Sequence, residues 1–340
     1  MKAYGALVDR LDIVVLSVGG AGERVVISDK VSAYKTASWN SLLRARDAYR
    51  IGRGLPRPDI VTSQDPFETG ISAARLSKYF GAALELQVHT DLFSPYFRSE
   101  SLKNRARVWL ARRALNKAEC IRVVSPRIRD SIVRELNVPA RRIAVLPIAS
   151  PRGAAPEREE IQRVKTILAR FEHVVLTVSR LAPEKNLLFA LRAFAVFHAK
   201  YPRVGYCIVG DGICKDVLRR EAVKLGIDNA VEFVGWEQNL QPYYALSNTY
   251  FSSSRYEGYG MSLIDAARAG LAIATTDVGC VGTSLFGAGV CVYPQDDLTG
   301  AVLCLTKFLE NPEKPVVREA LSSVDYERRI TEHWRTCRGA

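Results

Sequence analysis

The sequence has no apolar run near the ~18 residues that a membrane span requires, and polar residues follow Met1 where a signal-peptide core would stand. Neither a spanning segment nor export is expected. It has no CxxC pair, no low-complexity tract and no internal repeat, so neither a disordered chain nor a repeat array is expected. Its four histidines do not cluster and no DxD occurs, so no metal is expected. The seven cysteines, Cys120, Cys207, Cys214, Cys280, Cys291, Cys304 and Cys337, are odd in number and fall mostly in apolar strand-like runs. They read as buried thiols of a reducing compartment.

What is present is an ordinary globular composition in 340 residues, more than one core usually grows to, so two domains are expected. Net charge is +12, and residues 1–148 hold 25 basic against 14 acidic residues, so nearly all the excess lies in the first half. Such asymmetry suits a nucleic acid, an anionic membrane or an anionic substrate, and does not choose among them.

Short β-branched runs alternate with helix-length amphipathic segments, the pattern of parallel sheets built from βαβ units. Strands are expected at 11–17, 59–63, 83–89, 120–125 and 143–147. After the Pro- and Ala-rich stretch near 150 a second series follows, at 174–179, 206–210, 231–235, 249–254, 271–276 and 289–294. The expected fold is α/β, two facing Rossmann-like doubly wound parallel-sheet domains (1–150 and 151–310) with a cleft between them, and a C-terminal segment (311–340) crossing back to the first.

Polar residues gather where the second series leaves its strands. In SRLAPEKN, Arg180 offers a planar fork and Lys185 a point charge, a pairing suited to a diphosphate, with Asn186 as the N-cap of the next helix; two solvated cations are the plain alternative. In VGDG, Gly210 and Gly212 permit close approach of backbone to a ligand, although any strand-to-helix turn uses glycine. Trp236, after Gly235, either stacks on a base or packs. In RYEGYGMSLIDAARAG, Ser262 and Asp265 form an S-x-x-D capping box, which leaves Glu257 unexplained. The N–H groups around Gly260 to Leu263 suit an anion, and carboxylates flanking it suit hydroxyls. The ligand so described is a phosphate between polyols.

SRLAPEKN, IVGDG, FVGW and EGYGMSLIDAARAGLAIATTDVG, in this order and spacing, resemble the retaining glycosyltransferases of family 4, of the GT-B fold. Glu257 and Asp265 match that family's E-x7-E motif, with Asp in place of the second Glu. The resemblance implies that Arg180 and Lys185 neutralise the donor diphosphate, Glu257 holds the donor sugar and Asp265 the ribose. Backbone of Gly258, Tyr259, Gly260 and Met261 would line sugar and phosphate, with Gly210, Gly212 and Trp236 on the donor side. It further implies retention by front-face attack assisted by the departing phosphate, without a metal or other cofactor. The donor would be a nucleoside-diphosphate sugar, and the acceptor a glycan or polyprenyl-linked lipid in polysaccharide or glycoconjugate synthesis.

The first half resembles the family's acceptor domain through QDPFETG, QVHTDL and SPRIRDSIVREL. His89 matches a histidine that reaches toward the donor, with a satisfied core-edge histidine as the alternative, and Asp91 is a weaker candidate. The C-terminal VDYERRITEHWRTC places Tyr326, Ile330 and Trp334 on one helical face, a packing surface. Relative to the family pattern the chain starts at the end of the first helix, so the first strand and its glycine loop are expected to be missing; Gly19, Gly20 and Gly22 are the alternative to that loop.

SLKNRARVWLARRALNKA (101–118) sets Lys103, Arg105, Arg107, Arg112, Arg113 and Lys117 among Leu102, Trp109, Leu110 and Leu115. It reads as a solvated helix face or one that rests on an anionic membrane; no nucleic-acid module is recognised. The expected location is cytoplasmic, at the inner face of the membrane if that helix docks. The rival readings are a truncated homologue that binds donor but transfers poorly, and a nucleotide-sugar epimerase of the same fold.

Overall fold

The computed structural model describes residues 2–17, 23–148, 156–318 and 323–339. Gly19, Gly20 and Gly22 lie outside them. The chain divides into two compact units, Met1–Ala149 with Leu321–Ala340, and Ser150–Ala320.

The first unit holds two sheets. Strands β1 (Leu11–Val15), β2 (Arg24–Ser28) and β3 (Val31–Lys35) form one, in the order β1-β3-β2, with β1 parallel and β2 antiparallel to β3. The antiparallel β2–β3 hairpin is absent from the sequence reading, although Asp29 and Lys30 mark its turn. Strands β4 (Ile60–Ser63), β5 (Ala83–Val88), β6 (Cys120–Val123) and β7 (Ile143–Val145) form the other sheet, all parallel and in sequence order. The C-terminal helix Ser323–Cys337 packs on β5 and β6 and buries Ile330, His333 and Cys337.

The second unit is a six-stranded parallel sheet of β8 (His173–Val178), β9 (Val204–Val209), β10 (Val231–Gly235), β11 (Thr249–Ser252), β12 (Ala272–Thr276) and β14 (Val290–Tyr293). Every residue of β9, β11 and β12 is buried, as a parallel sheet covered on both faces requires. The helix Leu187–Lys200 lays Phe189, Leu191, Phe194 and Phe197 into the core around Tyr206 and Phe251. Two short strands, β13 (Leu285–Phe286) and β15 (Val316–Val317), pair antiparallel. That pairing keeps residues up to 317 with the second unit, whereas the sequence reading began the C-terminal segment at 311.

The order β10-β9-β8-β11-β12-β14 places the reversal of strand order between β8 and β11. The crevice of such a sheet opens there, beyond the carboxyl ends of the two strands.

Two further expectations fail. Cys120 pairs with Cys337 and Cys291 with Cys304, and Cys207, Cys214 and Cys280 take part in no disulfide. The partners lie 217 residues apart in the first case, so no sequence spacing reveals them. The S-x-x-D capping box also does not form. The helix starts at Met261 on Gly260, whose φ of 86° turns the chain directly into it, so Ser262 lies inside the first turn.

His173, at the head of β8, bonds through Nε2 to Thr249 Oγ1 at 3.1 Å, and burial pushes its pKa from the usual 6.5 down to about 4. Above pH 6.5 it is neutral folded and unfolded; as pH falls from 6.5 toward 4 only the unfolded chain takes the proton, so stability drops across that window. His173→Asn should flatten the loss, read from urea midpoints at about pH 7.5 and about pH 5.

Candidate functional site in the second unit

The loop after β8 runs Ser179-Arg180-Leu181-Ala182 into a single 3-10 turn, Pro183–Lys185. Its backbone is tied to the next loop: Leu181 N–H donates to Asp211 O at 2.9 Å, and Cys214 N–H to Leu181 O at 2.9 Å. Gly210 and Gly212 serve this approach. A Cβ at Gly210 would lie within the carbonyl of Ser179, and one at Gly212 against that of Leu181. The two glycines read as ligand contacts are thus accounted for by loop-on-loop packing.

The loop after β11 supplies the other wall. Ser253 Oγ donates to the carbonyls of Lys185 and Asn186 at 2.9 and 3.1 Å, joining the loops of the two strands that flank the crevice. Ser254 O accepts from Thr276 Oγ1 at 2.6 Å and Gln295 Nε2 at 2.9 Å. Tyr259 O accepts from Cys280 N–H at 2.7 Å, and the backbone of Gly279 (φ 54°) passes so close to that carbonyl that only glycine fits.

Between these walls Lys185 Nζ donates to Glu257 Oε1 at 2.5 Å, and Ser254 Oγ donates to the same oxygen at 2.8 Å. Both side chains of the ion pair are mostly covered, 14% and 16% exposed. The structure therefore brings together two of the sequence candidates, 72 residues apart, across the crevice between β8 and β11. Such a pair is costly to isolate from water unless other polar groups hold it, as Ser254 does here.

The remaining candidates stand around it. Arg180 is 77% exposed and pairs with Glu184 at 2.6 Å. Trp236 projects at 73% exposure just past the end of β10. Gly258, Tyr259 and Gly260 form the turn from Glu257 into the helix Met261–Arg268, with Tyr259 buried. The Leu263 N–H is taken by Gly260 O at 3.1 Å, so the helix N–H groups ahead of the ladder are those of Met261 and Ser262. Asp265 lies a turn further on, its Oδ1 3.8 Å from Arg268 Nη1. Asn186 holds the N-cap position, but its left-handed backbone (φ 53°) turns its side chain away from the helix, and Nδ2 donates to Asp296 Oδ1 at 2.9 Å.

His89 belongs to the first unit, where Nε2 meets Gln87 Oε1 at 3.2 Å. Burial, and then the nearby Arg122, hold its pKa below the usual value against Asp65 and Glu85. It is neutral at physiological pH. Asp91 is raised by burial, partly offset by Arg127 and a 3.4 Å bond from Ser131 Oγ.

Sequence reasoning missed Ser253, Ser254, Gln295 and Gly279. The run of three serines was absorbed into an expected strand 249–254, whereas β11 ends at Ser252 and the next two serines turn to bond the loops.

A doubly wound parallel unit with polar loops at its switch point is the class of α/β architecture in which ligands bind at the carboxyl edge of the sheet. The comparisons with known proteins narrow it. Residues 158–320 match the family model described as glycosyl transferases group 1, and residues 6–149 the glycosyl transferase 4-like domain. The chain belongs to the group 1 glycosyltransferases, of the GT-B fold.

An alpha-monoglucosyldiacylglycerol synthase of Acholeplasma laidlawii is 29% identical over 119 residues, 34% of this chain and 30% of that protein. The match spans only 21 to 30% of the length of this and two similarly related curated proteins. Among solved structures, sucrose-phosphate synthase of Thermosynechococcus elongatus superposes with a TM-score of 0.77 over 99% of this chain and 86% of its own, at 16% identity. An Anabaena protein solved with UDP-glucose gives 0.67 over 90% and 84%, at 18% identity. These likenesses show the fold.

Proposed function

We propose that this chain is a retaining glycosyltransferase that moves a sugar from a nucleoside-diphosphate donor to a glycan or lipid-linked acceptor. The observation that carries the reading is the Lys185–Glu257 pair at the β8/β11 switch point. A nucleoside-diphosphate sugar offers each member a replacement partner: phosphate oxygens for the ammonium of Lys185, sugar hydroxyls for the carboxylate of Glu257. Binding then exchanges one set of charge-assisted bonds for another, with little new desolvation.

In this reading Lys185 and the exposed fork of Arg180 stabilise charge as it builds on the departing nucleotide. The N–H groups of Met261 and Ser262, at the positive end of their helix, add to that stabilisation. Asp265 takes the ribose, with Arg268 setting its carboxylate, and Trp236 offers a face for the base. His89, neutral and held by Gln87, is suited to hydrogen bonding rather than to acting as a cation. The donor and acceptor classes draw support from the UDP-glucose complex of the Anabaena protein and from the lipid-glycosylating synthase. Proton NMR of the product tests the stereochemistry: an anomeric coupling that matches the donor's supports retention, and the opposite anomer overturns it.

The same reading extends to the membrane. Among the described residues no helix is long and apolar enough to cross one. Ser101 caps the helix Leu102–Lys117 through a bond from Asn104 N–H, and the stripe Leu102, Arg105, Trp109 and Arg113 is exposed along it. Arg107 and Arg112 are instead tied to Glu68 and Glu135, so the docking face is narrower than the sequence count of cations. Beside it Arg98, Arg105 and Arg112 line a cavity of about 580 Å³ with Trp109 and Pro95. We place this face on anionic lipid at the cytoplasmic leaflet. Arg105→Glu with Trp109→Ala should abolish co-sedimentation with phosphatidylglycerol vesicles, and undiminished binding would remove the face from the account.

A further inference from the structure

The C-terminal helix carries a second constellation, unrelated to the donor loops. His333 and Cys337 stand one turn apart on its buried face, and Cys120 opens β6 beneath them; all three are less than 10% exposed. The metal-ligating atoms of the three lie within 4.8 Å of one another, and they are the one such group among the described residues. His333 Nε2 is 3.9 Å from Cys337 Sγ and 3.1 Å from Oε1 of Glu85 on β5. Glu85 is fully buried. Its Oε2 accepts from Thr62 Oγ1 at 2.6 Å, Trp334 Nε1 at 3.3 Å and Gln87 Nε2 at 3.4 Å, whereas among the described residues the partner of Oε1 is the His333 imidazole alone.

The Cys120–Cys337 disulfide does not explain this arrangement. A disulfide is uncharged and calls for neither an imidazole nor a carboxylate beside it, so the burial of both is offset by their own pairing and by Thr62, Trp334 and Arg122, not by the sulfur bridge. Two thiolates, one imidazole and one carboxylate are a complete ligand set for a tetrahedral Zn²⁺ site, and His-x3-Cys on one helical face lies within the spacing such sites use. At Zn–S ~2.3 Å and Zn–N ~2.0 Å, tetrahedral ligand atoms stand about 3.3 to 3.8 Å apart, close to the 3.9 and 3.1 Å already present around His333. Side-chain rotation of the two cysteines, whose Cα atoms are 5.4 Å apart, supplies the remaining separation. Arg122, buried on the neighbouring strand β6, offsets the surplus negative charge of three anionic ligands.

We propose that Cys120, His333 and Cys337, with Glu85 as fourth ligand, bind Zn²⁺ when the Cys120–Cys337 bond is reduced, so that metal and disulfide are alternative clamps of the C-terminal helix onto β5 and β6. A dithiol gives two electrons and two protons to the disulfide and becomes a disulfide itself. Zn²⁺ then displaces the two thiol protons to solvent.

The test uses the full chain, reduced with dithiothreitol, freed of it anaerobically and titrated with Co²⁺ as a spectroscopic stand-in. The expected result is one Co²⁺ per chain, with a thiolate-to-cobalt charge-transfer band and the intense visible bands of a tetrahedral site, displaced by one equivalent of Zn²⁺. Reoxidation to the disulfide should abolish the bands. Cys120→Ser and His333→Ala should lose or weaken them, and Cys207→Ser, a buried thiol elsewhere, should keep them. The comparison of reduced and oxidised wild type needs no variant to fold. Folded, reduced wild type that takes up no Co²⁺, or bands that persist in Cys120→Ser, would overturn the proposal.

Discussion

Lys185→Ala should lower kcat/KM for sugar transfer by about a hundred- to a thousand-fold, the loss seen when one charge-stabilising donor is removed from an active site. Two effects combine. In the proposed reaction the departing diphosphate loses the covered ammonium of Lys185, and Glu257 loses the partner that holds its Oε1 at 2.5 Å. Ser254 still donates to that oxygen, so the loop keeps part of its geometry. Glu257→Ala should be comparably severe, and the double variant should cost much less than the sum, because both singles destroy the same pair. A fully additive double variant would show that the two side chains work independently and that their contact is incidental. Arg180→Ala should cost less, since Arg180 is largely exposed and its interaction with Glu184 is screened by water.

Phe251→Ala should be the most destabilising single change in the second unit, by about 3–5 kcal/mol. The ring is fully buried on β11, with centroids 6.2 Å from Tyr206 and 5.9 Å from Tyr293, and its carbonyl accepts from Thr177 Oγ1 at 2.5 Å. Truncation leaves a cavity that the rigid aromatic neighbours cannot fill. The urea midpoint should fall with an unchanged slope. A loss below about 1 kcal/mol would mean that the sheet relaxes around the gap. Because β11 leads directly into the Ser253–Glu257 loop, the donor site should weaken along with the core.

The second unit was legible because its strands, with β9, β11 and β12 buried throughout, read as short apolar runs alternating with helix-length segments, and all six expected runs correspond to β8 through β12 and β14. The β2–β3 hairpin was not, because a reading tuned to βαβ alternation has no place for two strands joined by a two-residue turn. The start expected at Ser262 lies instead at Gly260, while Asn186 stands at the N-cap as expected but its side chain makes no cap bond. At Gly260 and Asn186 the backbone sets the entry, and the hydroxyl or amide expected to cap is inside the helix or faces elsewhere. Lys185 and Glu257 could each be picked out as a charged residue beyond a strand end. Their contact could not, since it depends on β8 and β11 being neighbours. The Cys120, His333 and Cys337 cluster has the same origin: β6 and the C-terminal helix meet only in the folded unit.

The central claim is that the crevice between β8 and β11 holds a nucleoside diphosphate through Lys185. Isothermal titration of the purified chain with UDP, GDP and ADP, beside Lys185→Ala, tests it most directly. The account predicts saturable one-site binding of one nucleotide by the wild type, weakened at least tenfold, about 1.4 kcal/mol, in Lys185→Ala. Equal affinity in the folded variant, or no binding of any of the three by the wild type, would contradict it.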